Sequence, residues 1–158
     1  MLFRSGGDAL VATLLAHGCD TGFCVPGESY LAVLEALRRE AARFRLITNR
    51  HEAGTTFAAE AYAKLTTKPG IAFVTRGPGA TNAAIGLHTA DQDSSPLVLF
   101  IGQVPSAHLG REAFQEIDYA RMYGGIAKAV IEPKTPAEVA GATAQAPAVA
   151  AAGRPCPA

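Results

Sequence analysis

Arg45-Leu46-Ile47-Thr48-Asn49-Arg50-His51-Glu52-Ala53-Gly54 changes character halfway along. Leu46-Ile47-Thr48 is a short apolar run. Polar residues end it, and an alanine-rich helical pattern then runs from Ala53 to Leu65. The stretch reads as a strand feeding a helix, with Glu52 near the helix's first turn. In an open α/β sheet, ligands bind at that end of the strands. A glutamate in a first turn is also favourable simply against the helix dipole. Glu52 therefore becomes interesting only through what the rest of the chain sets beside it.

The same alternation extends in both directions. Upstream, Ser5-Gly6-Gly7-Asp8 has capping-box character, and Leu10, Val11, Leu14 and Leu15 recur at helical spacing. His17-Gly18 closes that helix. Phe23-Cys24-Val25 is a short buried strand broken by Pro26-Gly27. Ser29 is expected to cap a second helix, with Leu31, Leu34 and Leu37 on its inner face. Downstream, Ile71 to Thr75 and Leu97 to Ile101 are continuous apolar runs, as in strands covered on both faces. Between them, Ala80 to Leu87 opens a helix. Gly102 to Gln115 is a long connection, Tyr119 to Tyr123 a short helix, Ala127 to Ile131 a fifth strand, and Pro136 to Ala152 a helix. Strands alternating with helices give an α/β fold: an open, mostly parallel sheet with helices on both faces. No repeat or internal boundary divides residues 1–158, so a single domain is expected. Gly153 to Ala158 resembles the lead-in to a strand, and the last strand of the fold is expected to be missing.

Composition narrows the function. Of 158 residues, 49% are apolar and 18% charged, which fits a packed core rather than disorder. Lys plus Arg and Asp plus Glu number 14 each, so no basic excess points to nucleic acid. No apolar run approaches the ~20 residues of a membrane span. Met1 to Gly7 lacks the apolar stretch of a signal peptide. Cys19, Cys24 and Cys156 show no paired spacing, which fits a reducing, cytoplasmic setting. His17, His51, His88 and His108 are scattered, and no metal site is expected on this chain.

Three loops leave the carboxyl ends of strands: Pro26-Gly27, Asn49 to Glu52, and Gly77-Pro78-Gly79-Ala80-Thr81-Asn82. The third is glycine-rich before a helix, as at anion sites. It lacks both the Gly-Lys-Ser/Thr ending of a phosphate loop and the Gly-x-Gly-x-x-Gly of a dinucleotide fold.

Taken with Gly102-Gln103-Val104-Pro105 and Ala113-Phe114-Gln115-Glu116-Ile117-Asp118, these motifs resemble the amino-terminal pyrimidine-binding domain of thiamine-diphosphate-dependent enzymes. They are most similar to the acetolactate synthase-like group. The resemblance runs from about Ser5 to Pro157 and implies a Rossmann-like thiamine-diphosphate-binding fold. It implies half of an active site. The family's central and diphosphate-binding domains, with the latter's Mg²⁺, have no counterpart motif here. Their place would be filled by another part of the same chain or by another chain, in a homodimer or higher oligomer.

By this resemblance Glu52 is the catalytic carboxyl that activates the aminopyrimidine by sharing a proton with its ring nitrogen N1′. Aspartate would fall about one carbon short, and glutamine could not relay a proton. Pro26 and Gly27 would bring backbone against the pyrimidine. Thr75, Pro78, Gly79 and Asn82 would line its pocket. Gln115, with Phe114, would face the reacting centre. His51 is expected to orient its turn. The implied reaction is decarboxylation and carboligation of a 2-oxo acid, as in a lyase or transferase, with the isolated chain inactive. A short subunit of a two-chain 2-oxo acid decarboxylase and a non-catalytic dimerisation module are the alternatives. Two positions depart from the group: Arg76 stands where a small residue is common, and Cys156 where glycine is usual.

Overall fold

The computed structural model describes residues 5–158; Met1 to Arg4, part of the stretch read for a signal peptide, lies outside them. Four strands form one parallel sheet in the order β2-β1-β3-β4: β1 Thr21–Cys24, β2 Arg45–Thr48, β3 Gly70–Val74 and β4 Leu97–Ile101. The helices are α1 Gly6–Ala16, α2 Leu31–Arg39, α3 Glu52–Thr66, α4 Pro78–Gln92, α5 Tyr119–Tyr123 and α6 Val139–Ala151. The α/β class and the parallel sheet read from the sequence are the observed ones.

Each face of the sheet has its own core. Val11 and Leu14 of α1, Leu37 of α2 and Ala146 of α6 pack with Ile71, Phe73 and Val98 on one face. Ala59 of α3, Leu87 of α4 and Tyr123 of α5 pack with Phe23, Ala72 and Leu97 on the other. β3 is buried along its whole length, as a central parallel strand covered on both faces must be. Among the described residues, no helix is long and apolar enough to cross a membrane.

Local chemistry explains the boundaries. Ser5 caps α1 by accepting from the Asp8 amide at 3.2 Å. Gly18, with φ +75°, takes the left-handed turn after the His17 C-cap. α3 and α4 approach closely because Gly86 has no Cβ: one built there would lie 2.1 Å from Thr56 Oγ1. The Thr56 hydroxyl instead donates across to the Ala83 carbonyl at 3.2 Å.

Three expectations are corrected. Ser29 does not cap α2; a 3₁₀ turn over Glu28–Tyr30 precedes that helix, and the Ser29 hydroxyl is engaged by Thr75 and Arg76, just past β3. Leu31 is 62% exposed, since at 100° per residue it lies well away from Ala36 and Leu37, the buried residues of α2. Ala127 to Ile131 is not a strand, since no neighbouring strand pairs with it. As expected, no last strand forms among the described residues, though Ala158 lies along β4 and exchanges backbone hydrogen bonds with Leu97 and Leu99 at 2.8 and 2.9 Å.

Candidate functional site

Parallel pairing puts the carboxyl ends of β1, β2 and β3 on one edge of the sheet, and the three sequence-read loops leave from it. Asn49 ties the second loop to the first, its amide donating to the Cys24 carbonyl at 2.7 Å.

Glu52 is the first residue of α3. His51 is the N-cap; its Nδ1 accepts from the Ala53 amide at 3.1 Å, which fixes the direction in which the helix leaves the sheet. Glu52 is only 9% exposed. Its Oε2 accepts from Asn82 Nδ2 at 3.0 Å, across from the first turns of α4. Its Oε1 looks toward Gly79, where a built Cβ would sit 3.3 Å away. With one carboxylate oxygen matched by Asn82, the other keeps capacity to accept a further hydrogen bond.

Thr75, just past β3, is the hub of the neighbouring wall. A Cβ on Gly27 would lie 2.5 Å from Thr75 Cβ, and one on Gly79 2.8 Å from Thr75 Cγ2. Gly27 has extended backbone, so closeness rather than a left-handed φ calls for glycine there. Ser29 Oγ lies 2.9 Å from Thr75 Oγ1 and accepts from the Arg76 amide at 3.1 Å. A Cβ on Gly102, at the end of β4, would fall 2.0 Å from Ser29 Oγ, so the fourth strand end also abuts this wall. Gly27, Glu52, Thr75, Gly79 and Asn82 are thus one constellation. Pro26 and Pro78 flank it, both exposed.

Gln115 reaches the edge from the long connection. It holds φ +63°, and a Cβ on Gly77 would lie 2.7 Å from its own Cβ. Gly77 itself has φ +61°, so both space and backbone require glycine. Three ties hold this connection. The Gly77 amide donates to Tyr119 Oη at 3.0 Å. Arg76 Nε donates to the Phe114 carbonyl at 3.1 Å, and its Nη2 pairs with Glu28 at 2.8 Å. Glu116 accepts from the Gly110 and Ala113 amides at 2.5 and 2.9 Å. Those two backbone donors hold the Glu116 carboxyl below the usual glutamate range. Phe114 stands 74% exposed beside Gln115.

Sequence reasoning passed over Ser29 and Tyr119 as parts of this edge, and read Arg76 as a departure from a small residue without its ties. Their partners lie 38 to 48 residues away, and no local pattern announces such ties. Gly102 carried a faint signal, a glycine directly after an apolar strand. Burial pushes the Tyr30 hydroxyl up, assisted by Cys24 and Glu52, so Tyr30 is a neutral donor; it bonds the Val25 carbonyl. Among the described residues no three His, Cys, Asp or Glu side chains group as metal ligands would.

Residues 4–122 match the family model for the thiamine pyrophosphate enzyme N-terminal TPP binding domain. The chain is 43% identical to the acetolactate synthase large subunit of Parasynechococcus marenigrum (strain WH8102) over 155 residues, 97% of this chain and 25% of that protein. It is 44% identical to the chloroplastic acetolactate synthase of Arabidopsis thaliana over 125 residues, 79% of this chain and 18% of that protein. The mitochondrial acetolactate synthase of Schizosaccharomyces pombe is 36% identical over 154 residues, covering 98% of this chain and 23% of that protein. The chain spans a quarter or less of each of these relatives. A parallel α/β sheet, a strand edge built of these loops and a family match over most of the chain agree: this chain belongs to the thiamine pyrophosphate enzyme N-terminal domain family, with acetolactate synthases among its relatives.

Proposed function

We propose that this domain is the pyrimidine-binding half-site of an acetolactate synthase-like enzyme acting on a 2-oxo acid. The observation that carries the reading is the Glu52 carboxylate: buried, fixed by Asn82 on one oxygen, and turned toward Gly79 with the other. The residues suit a flat heterocycle with one ring nitrogen to satisfy. Gly27 and Gly79 bring main chain close, Thr75 supplies the wall between them, and Oε1 is the acceptor left over.

When bound, thiamine diphosphate supplies a nucleophilic carbon and stores the electrons released on decarboxylation. Glu52 would share a proton with a ring nitrogen of the bound pyrimidine, the general acid–base role a buried carboxyl can fill there. Asn82 keeps the carboxylate from rotating away. The glycines exclude water by letting backbone replace it. Pro26 and Pro78 stiffen the two loops, and Gln115 faces the reacting centre. The diphosphate and its Mg²⁺ are gripped by another domain, of the same chain or a partner in a homo-oligomer. The relatives' greater length supports this division.

The test has two parts. The 158-residue chain alone is expected to bind thiamine diphosphate with Mg²⁺ weakly or not at all in calorimetry; tight Mg²⁺-dependent binding contradicts the division of labour. In a polypeptide of the relatives' length carrying this domain, Glu52→Gln is expected to lower kcat by at least 100-fold, the scale of a lost general acid–base group. Wild-type turnover by that variant removes the role assigned to Glu52.

A further inference from the structure

Arg76 holds a charge where the half-site meets the long connection. It lies between Thr75, in the wall of the half-site, and Gly77, whose bare backbone abuts Gln115. Its side chain is only 13% exposed. Nε serves the Phe114 carbonyl at 3.1 Å, and Nη2 serves Glu28 Oε1 at 2.8 Å. Nη1 has no hydrogen-bond partner among the described residues, yet it is not sealed from solvent.

The two members of this ion pair are held very differently. The Phe114 carbonyl pins the guanidinium, and Ser29 Oγ pins the backbone beneath it by accepting from the Arg76 amide at 3.1 Å. The Glu28 side chain is 69% exposed, and Arg76 is its one partner among the described residues. An ion pair with one member in solvent holds weakly, because water and side-chain freedom compete for it. The carboxylate is free to swing out; the guanidinium is not free to follow. A ligand carboxylate in the place of Glu28 meets the same Nη2 and reaches Nη1 as well, the two-point fork that suits arginine to carboxylates.

We propose that Arg76 selects the substrate: the half-site serves a 2-oxo acid with a second carboxylate at the far end of its chain, and that carboxylate displaces Glu28 from Arg76. This rests on the 2-oxo acid reading of the half-site and adds the substrate's charge to it. The carboxylate beside the oxo group is not the one bound. It gives up its charge as CO₂ departs, so a cation paired with it would hold the starting state more firmly than the transition state. A carboxylate remote from the breaking bond stays charged throughout, and a cation binds it without slowing the chemistry. Until such a group arrives Glu28 occupies the seat, so an acid with a plain alkyl chain gains nothing from Arg76.

The test has a binding arm and a turnover arm. In the 158-residue chain, the Arg76 Nε–H signal is followed by NMR during titration with glutarate and with glutaramide, its neutral analogue. Glutarate is expected to shift the signal saturably and glutaramide to leave it unmoved. Glu28→Gln is expected to tighten the glutarate response about threefold, the strength of one exposed ion pair. No response to glutarate, or a weaker one in Glu28→Gln, overturns the proposal. In a polypeptide of the relatives' length carrying this domain, 2-oxoglutarate is compared with 2-oxopentanoate, which has the same chain length without the second carboxylate. The wild type is expected to favour 2-oxoglutarate in kcat/KM by about tenfold or more, the scale of a hydrogen-bonded charge. Arg76→Met is expected to remove that preference mainly through KM, because a group charged in both states contributes uniform binding. A wild type without the preference overturns the proposal. So does an equal loss of kcat on both acids in Arg76→Met, the mark of a residue that only clamps the connection. A polypeptide that turns over neither acid counts against the 2-oxo acid reading instead, and the titration then decides the carboxylate seat by itself.

Discussion

Asn82 on α4 and Glu52 on α3 meet at 3.0 Å, amide nitrogen to carboxylate oxygen, although thirty residues of chain separate them. A hydrogen bond to an ionised group is worth about 1.5–3 kcal/mol, more than most neutral pairs. Asn82→Ala is therefore expected to weaken cofactor affinity in the longer polypeptide about tenfold while leaving the fold intact. Asn82→Asp, which sets a second carboxyl against the first, is expected to weaken it further. Titration of the cofactor with a circular-dichroism or fluorescence readout checks the order of the three proteins.

Gly79 and Thr75 supply a second prediction. A methyl at position 79 would press on Thr75 Cγ2 at 2.8 Å. Overpacking of this kind costs roughly 1–3 kcal/mol. Gly79→Ala is expected to lower Tm by several degrees, given about 2–4 °C per kcal/mol for a chain of this size. Thr75→Ser removes the offending methyl, so Gly79→Ala/Thr75→Ser is expected to be more stable than the sum of the single changes. A double-mutant cycle by thermal denaturation reads this directly; strict additivity would contradict the contact.

Arg76 ties the β3 turn to Glu28 and to the Phe114 carbonyl, and its own side chain is only 13% exposed. It clamps the connection that carries Gln115. Arg76→Ala is expected to speed tryptic cleavage after the exposed Arg111 several-fold under native conditions. Arg76→Lys restores charge but cannot serve both partners with one fork, and is expected to fall between the two. Timed proteolysis with mass spectrometry distinguishes them.

The Glu116 carboxyl adds a pH response. The Gly110 and Ala113 amides lower its pKa from the ordinary 4.5, so the ionised form favours the closed loop. The stabilisation is present above the unfolded-state value and is lost as pH falls through the lowered folded-state value. The amide shifts of Gly110 and Ala113 are expected to titrate together below pH 4.5 in NMR spectra. In Glu116→Gln that titration is expected to disappear.

The alternation of strand and helix was legible because each boundary carries its own local chemistry: Ser5 before α1, Gly18 after it, and polar residues between β2 and α3. The loops at the strand ends were legible for the same reason, since prolines and glycines mark where the strands stop. What hid was long-range. Ser29 looks like a cap in isolation, yet its hydroxyl serves Thr75 and Arg76. Arg76 looks like a substitution at a small-residue position, yet it reaches Glu28 and Phe114. Ala127 to Ile131 has the composition of a strand, but a strand exists only through a neighbour's ladder.

The Thr56–Gly86 contact lies one helical turn below the Glu52–Asn82 pair on both helices. The spacing between an acid and its amide partner is thus inherited from a hydroxyl seated against a missing side chain. Any side chain at position 86 would spread the two helices like a wedge and misalign the pair without touching a ligand. A residue with no functional group of its own thereby sets the tolerances of the functional ones.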